Sequence, residues 1–277
     1  MPIRGHSAPA RTSPPTSGNS TASPLLSVQN LGIRFGGIIA LKQVSFDIGP
    51  KKICGLIGPN GSGKTTLLNG LSCLYPYDQG QVVFAGQSLH QVPPHHLAHL
   101  GLGRTFQTPA LFPSLTVSEN ILVGRHSRNR TEFFAHAFRT RQIPRERAAD
   151  YSRLHTLLHL LELTAVRDAH VTTLPFATQK RVELARTLAS DPQLILLDEP
   201  AVGLNHEEVT TLGQLIRRLR DELGLSVLLV EHHVPLVMAI ANQVVVLNFG
   251  RKIAEGTPAE IRQNPAVISA YLGDFHG

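Results

Sequence analysis

Residues 58–65, GPNGSGKT, set glycines, a lysine and a hydroxyl at the spacing G-x-x-x-x-G-K-[ST]. Gly58, Gly61 and Gly63 let a backbone curl until its N–H groups point inward at phosphate oxygens. Lys64 would then bridge the β- and γ-phosphates of ATP, and Thr65 would offer its hydroxyl to Mg2+. Asn60, Ser62 and Thr66 complete the set of expected nucleotide contacts. A second group of acids lies far along the chain, in LILLDEP at 194–200. Asp198 ends an apolar run, where its carboxylate would stand beside the phosphates and hold Mg2+ through water. Glu199 follows and would polarise an attacking water as general base. That adjacent acid favours hydrolysis over phosphotransfer to a small molecule. A third run, SVLLVEH, delivers His232 to a strand end, placed to contact the γ-phosphate and orient the water–glutamate pair. A partly exposed strand-end histidine is the bland alternative, and it applies to the neighbouring His233.

Such groups meet only if their strands share one sheet. LSVQNLGIRF and LKQVSFDI read as half-exposed strands, and ICGLIG as a buried one leading into the glycine turn. A helix is expected over 64–74, followed by a strand at GQVVFAG. Residues 112–190 look mostly helical, with leucines at helical spacing through Leu154, Leu157, Leu158 and Leu161. Within that region, residues 174–189, LPFATQKRVELARTLA, put Val182, Leu184, Ala185, Leu188 and Ala189 on one face, with Lys180, Arg181, Glu183 and Arg186 largely opposite. Buried strands return at LILLD, SVLLVE and QVVVLNFG, and a short helix follows Pro258. Strands interleaved with helices predict an α/β fold with a mainly parallel sheet, and the helical insertion predicts a second lobe.

The chain is 277 residues long, with 42% hydrophobic and 17% charged residues, which suits a soluble globular protein with a sizeable core. No apolar run reaches the roughly 18 residues of a membrane span. Residues 1–24, rich in Pro, Ser and Thr, are expected to be a disordered tail, without an apolar signal-peptide stretch or an amphipathic transit-peptide pattern. Cys54 and Cys73 match no metal spacing and read as reduced core residues of a cytosolic protein, Cys73 within a helix. The net charge of +6 is local: the tail supplies +2 and residues 125–147, with seven arginines, supply +5, leaving −1 elsewhere. Being one local stretch plus a tail, this basicity reads as a solvated helical face, or as a contact for lipid headgroups or an acidic partner surface, rather than a nucleic-acid site.

The order of GPNGSGKT, Phe106-Gln107, the turn at 174–178, LILLDE, AVGLN at 201–205 and His232 resembles the ATP-binding subunits of ABC transporters, over about residues 26–274. RTFQ, PFATQKRVELARTLA, VEHH and the ending LNFGRKIAEGTPAEIRQNPAVISAYLG resemble the branched-chain amino-acid uptake group among them. The resemblance implies a RecA-like P-loop NTPase core, an N-terminal antiparallel β subdomain and a helical subdomain at about 112–188, all within a cassette at 25–277. It implies that Phe35 stacks on adenine, that Gln107 ligates Mg2+ and senses the γ-phosphate, and that residues 203–205 form the D-loop at a dimer interface. Two subunits would sandwich two ATPs, each held between one chain's phosphate loop and the other's signature turn, here including Pro175, Ala177 and Thr178. The partners implied are transmembrane permease subunits, a second ATP-binding subunit (a different one or a copy) and, indirectly, a periplasmic solute-binding protein. The place implied is the cytoplasmic face of the membrane, and the solutes are branched-chain amino acids, with urea or short amides as the alternative. A soluble ABC ATPase acting on ribosomes or DNA is the alternative of a different class. The group usually keeps a glycine where Ala177 stands; if the position needs a left-handed backbone, alanine would cost roughly 1 kcal/mol there, and if not, its N–H remains available. Thr178 is the candidate helix cap or replacement hydroxyl. The half-site completed by this turn is therefore expected to be the weaker one of an asymmetric heterodimer.

Overall fold

The computed structural model describes residues 23–127 and 143–272. The first strands, β1 (Leu26–Phe35) and β2 (Ile38–Ile48), form an antiparallel hairpin joined at Gly36 and Gly37. After β3 (Ile53–Ile57) the chain runs through α1 (Lys64–Leu71), β4 (Gln79–Phe84), β5 (Gln87–Ser88), α2 (Leu97–Leu100) and β6 (Leu102–Arg104). The helical lobe follows with α3 (Val117–Val123), α4 (Ile143–Leu160) and α5 (Phe176–Ala189). The chain then returns through β7 (Leu194–Asp198), α6 (His206–Leu223), β8 (Ser226–Val230), α7 (Val234–Ile240), β9 (Gln243–Asn248) and β10 (Arg251–Gly256). Helices α8 (Pro258–Gln263) and α9 (Pro265–Leu272) close it.

Two sheets result among the described residues. One is antiparallel, in the order β2-β1-β4-β5; the other runs β10-β9-β3-β8-β7-β6, parallel except for β10 against β9. The parallel strands are apolar throughout because both their faces are covered. Cys54, Leu56, Leu196, Leu228, Val230, Val245 and Leu247 face the core shared with the antiparallel sheet and α1. Ile53, Ile57, Ile195, Leu197, Val227, Leu229, Val244 and Val246 face the core shared with the lobe and α6–α9. This period-two division fixes the register, since a one-residue slip would exchange the two cores. It also brings β3, β8 and β7 side by side, so their carboxyl ends open on one edge.

Several expectations need correction. Helix α1 ends at Leu71, and Cys73 lies beyond it in a left-handed turn with φ 55°. Cys54 is buried and both cysteines are free thiols. The short strands β5 and β6 and the hairpin strand β10 have no counterpart among the elements expected from the sequence. Arg125 is no solvated side chain: it reaches Asp150 at 2.7 Å, Asp191 at 2.5 Å and the Ala189 carbonyl at 2.9 Å, tying α4 and the end of α5 together. Most of the arginine-rich stretch and the tail at 1–22 lie outside the described residues.

Candidate active site

The loop after β3 is shaped by glycines with left-handed backbones. Gly61 has φ 73° with open space where a side chain would stand, leaving a cradle lined by backbone. The loop is tethered through Gly250. The Ser62 carbonyl accepts the Gly250 N–H at 3.0 Å, and the Gly250 carbonyl accepts the Lys42 N–H at 2.8 Å. The turn between β9 and β10 thus joins the loop to the antiparallel sheet. Lys64, buried, donates to the carbonyls of Gly58 at 2.7 Å and Pro59 at 2.9 Å. Burial lowers its pKa, and the charge of Glu199 opposes that shift. A cleft of about 460 Å³ is lined by residues 60–66, Glu199 and His232, with Ile38 and Phe249 among its walls.

The strand tips meet as expected. Glu199 stands one residue past β7 with a left-handed φ of 46°, a conformation that is costly for a residue with a Cβ and is anchored by its N–H bond to the Val230 carbonyl at 2.9 Å. Its two carboxylate oxygens are taken from opposite sides: Gln107 Nε2 donates to Oε2 at 2.7 Å, and His232 Nε2 lies 2.5 Å from Oε1. Gln107, His232 and Glu199 therefore form one cluster, with His232 still 42% exposed toward the cleft. His233 is used differently, since its Nδ1 accepts the Leu236 N–H and caps α7.

Asp198 is buried, and Arg104 Nη2 donates to its Oδ2 at 3.1 Å, with Arg104 Nη1 on Ser72 Oγ at 2.9 Å. Burial raises the Asp198 carboxyl and lowers the Arg104 guanidinium, each against its partner's charge, so desolvation outweighs their attraction. Asp198 Oδ1 and Ser62 Oγ are buried without a hydrogen-bond partner. Two orphaned hard oxygens beside the phosphate loop suit a hydrated divalent cation. Sequence reasoning gave Arg104 no role; it stood in view within RTFQ, but the carboxylate it meets is 94 residues away.

Phe35 does not line the cleft. It sits at the hairpin end, paired with Ile38, which does; its ring is 45% exposed and meets Tyr75 edge-on at 5.1 Å. The turn at 174–178 also stands apart from the chain's own phosphate loop. Pro175 is the N-cap residue of α5, so Thr178 is no cap; it lies in the first helical turn and no side chain caps the helix. Ala177 is absent from the left-handed residues, so the penalty conditional on such a backbone does not arise in this conformation and its N–H remains available. The first α5 hydrogen bond runs from Gln179 N to Pro175 O at 3.0 Å, which leaves the N–H groups of 176–178 without an intrahelical acceptor.

The polar face of α5 packs in part on loop backbone. Glu183 is buried, and its Oε1 accepts the N–H groups of Phe106 at 3.4 Å and Ala110 at 3.3 Å, holding the segment that carries Gln107. Burial raises its pKa against those two bonds. Lys180 Nζ donates to the carbonyls of Pro200 at 3.1 Å and Val202 at 2.7 Å. Glu231, beside His232, is 2% exposed and also went unremarked in the sequence. Its Oε1 accepts the Ala201 N–H at 2.6 Å, and its Oε2 accepts the N–H groups of His232 at 3.1 Å and His233 at 3.4 Å. Asn205, expected at the interface loop, forms a capping box with Glu208 at the start of α6.

Comparisons with known proteins show the family of this fold. Residues 41–202 match the ABC transporter family model, and residues 251–277 match a model described as branched-chain amino acid ATP-binding cassette transporter. The chain is 40% identical over 253 residues to the high-affinity branched-chain amino acid transport ATP-binding protein LivG of Escherichia coli (strain K12), covering 91% of this chain and 99% of that one. Among solved structures, an ATP-binding cassette of an ABC transporter in its ADP conformation superposes with a TM-score of 0.77 at 29% identity, over 91% of this chain and 100% of that one. Another cassette, a dimer in a post-hydrolysis state bound to ADP and Pi, superposes with a TM-score of 0.69 at 26% identity, over 84% and 98%. With its phosphate loop, paired strand-tip acids and helical lobe in their expected order, the chain belongs to the ABC transporter family as an ATP-binding, ATP-hydrolysing cassette.

Proposed function

We propose that this subunit energises import of branched-chain amino acids, hydrolysing ATP with Glu199 as general base. The observation that carries the chemistry is the Glu199 carboxylate held between Gln107 and His232 at the mouth of the phosphate loop. The loop amides and Lys64 bind the β- and γ-phosphates, Lys64 giving up its two carbonyl partners to do so. Phe35, on the hairpin beside the cleft, supplies a ring for adenine. A water oxygen attacks the γ-phosphorus while Glu199 takes its proton; the bond to the β–γ bridging oxygen breaks, leaving ADP and phosphate. His232 orients Glu199 and contacts the γ-phosphate. Thr65, Gln107 and Asp198 are the residues to hold Mg2+, which neutralises phosphate charge when bound.

The second half of the site comes from a partner. The free amides at 176–178 suit the γ-phosphate of an ATP on another ATP-binding subunit, and its corresponding turn completes the site here. Transmembrane permeases dock on a cleft lined by Leu74, Phe106, Phe112 and Arg186, next to the segment that carries Gln107. Among the described residues no helix is long and apolar enough to cross a membrane; peripheral attachment on the cytoplasmic face is inferred from the chain's similarity to a transport ATP-binding protein. The solute is inferred from LivG and the C-terminal match, and a periplasmic solute-binding protein delivers it. Glu199→Gln should retain ATP while turnover falls by roughly 10²–10⁴-fold, with leucine uptake lost in parallel. Turnover at the wild-type rate rules out the base assignment.

A further inference from the structure

Residues 200–202 are gripped from two sides by charged groups. Lys180 Nζ, one turn into α5, holds the carbonyls of Pro200 and Val202. Glu231 holds the intervening Ala201 N–H with one oxygen and the His232 and His233 N–H groups with the other. The stretch from Glu199 to Gly203 ends beside the Phe176 ring, which a Cβ at Gly203 would meet in ordinary van der Waals contact at 3.5 Å. Phe176 opens α5 and stacks under Lys180, whose ammonium is 5.1 Å from the ring centroid. One turn further on, Glu183 binds the backbone at 106 and 110, on either side of Gln107.

Helix α5 is therefore bonded to both segments that position Glu199, and its N-terminus is the part proposed to reach the partner's ATP. We infer that Lys180 and Glu231 are positioning residues that clamp residues 200–202 between the signature helix and His232, so that engagement of α5 with the partner's nucleotide sets the geometry of this chain's own Glu199–His232 pair. Neither residue touches substrate. Each ties to the backbone of 200–202, and removing either grip frees the segment from one neighbour while the other still holds it. A clamp with one jaw missing no longer transmits, so loss of the second jaw adds little.

This inference rests on the assignment of Glu199 and His232 above, and its test is a double-mutant cycle in the assembled transporter. Lys180→Met removes the donor and keeps the apolar stem; Glu231→Gln keeps the shape and one acceptor oxygen. Each single variant is expected to lower kcat by about 5- to 20-fold at unchanged KM for ATP, with the Hill coefficient for ATP falling toward 1. The double variant should stay within about twofold of the weaker single one, and Lys180→Arg, which retains donors, should recover activity to within about twofold. Losses that multiply, no recovery with Lys180→Arg, or a kcat loss that follows the unfolding midpoint overturn the clamp. Those results with Glu199→Gln still inert count against the clamp alone, whereas an active Glu199→Gln removes the reading beneath it.

Discussion

The strand tips and the start of α5 both face phosphate in the proposed cycle, yet they are built in opposite ways. At the tips every charged group is already spoken for: Lys64 by two carbonyls, Glu199 by Gln107 and His232, and Asp198 by Arg104. At the start of α5 no side chain caps the helix and the first amides are free. A site that works within one chain must hold its charges in check until nucleotide arrives, because unpaired buried charge is costly. A surface that works across an interface lacks that constraint, since water serves its amides until the partner docks.

Breaking the tip side should have the largest effect. Arg104→Leu leaves the Asp198 carboxylate buried without its cation, and stability measured by denaturant unfolding should fall by about 3–5 kcal/mol. A change below about 1 kcal/mol would show that the pair is solvated and that the contrast with α5 is overstated. Glu231 gives a pH-dependent measure of the same side. Burial raises its carboxyl above the ordinary 4.5, with the three amide bonds opposing. The folded chain then holds this proton to higher pH than the unfolded chain, so the contribution to stability is full below about pH 4.5 and is lost as pH rises through the folded pKa. The unfolding midpoint of wild type minus that of Glu231→Gln should therefore decline as pH rises from about 4.5; a flat difference removes the burial effect. The smallest effect belongs to α5. Ala177 has an ordinary helical backbone, so Ala177→Gly should alter ATPase activity by less than about twofold. A rise of fivefold or more would mean that the turn adopts a left-handed form when engaged.

The legible parts of this molecule are those whose cause is local. GPNGSGKT dictates its own loop, and the apolar runs of β3, β7, β8 and β9 announce strands buried on both faces. Once those are parallel neighbours, Asp198, Glu199 and His232 must share an edge with the loop. Arg104, Lys180, Glu183 and Glu231 were opaque for a common reason: each meets a partner that only the fold brings near. The periodicity of α5 correctly separated its faces, but a polar face packed on loop backbone has the same sequence as one facing water. Glu231 did leave a trace, as an acid directly following a wholly apolar run, with no cation near it in sequence. Of the two conformations open at Ala177, the structure has the one that keeps its N–H available, and Thr178 is no cap, because Pro175, already extended with ψ 149°, starts the helix earlier.

The tether of the phosphate loop through Gly250 has a consequence for how nucleotide is taken up. A glycine loop left to itself would lose much conformational entropy on closing around phosphate. Here Ser62, Gly250 and Lys42 stitch it to the hairpin strands of both sheets before any ligand arrives, so that ordering has been completed during folding. Free energy of phosphate contact then goes into affinity rather than into arranging the loop.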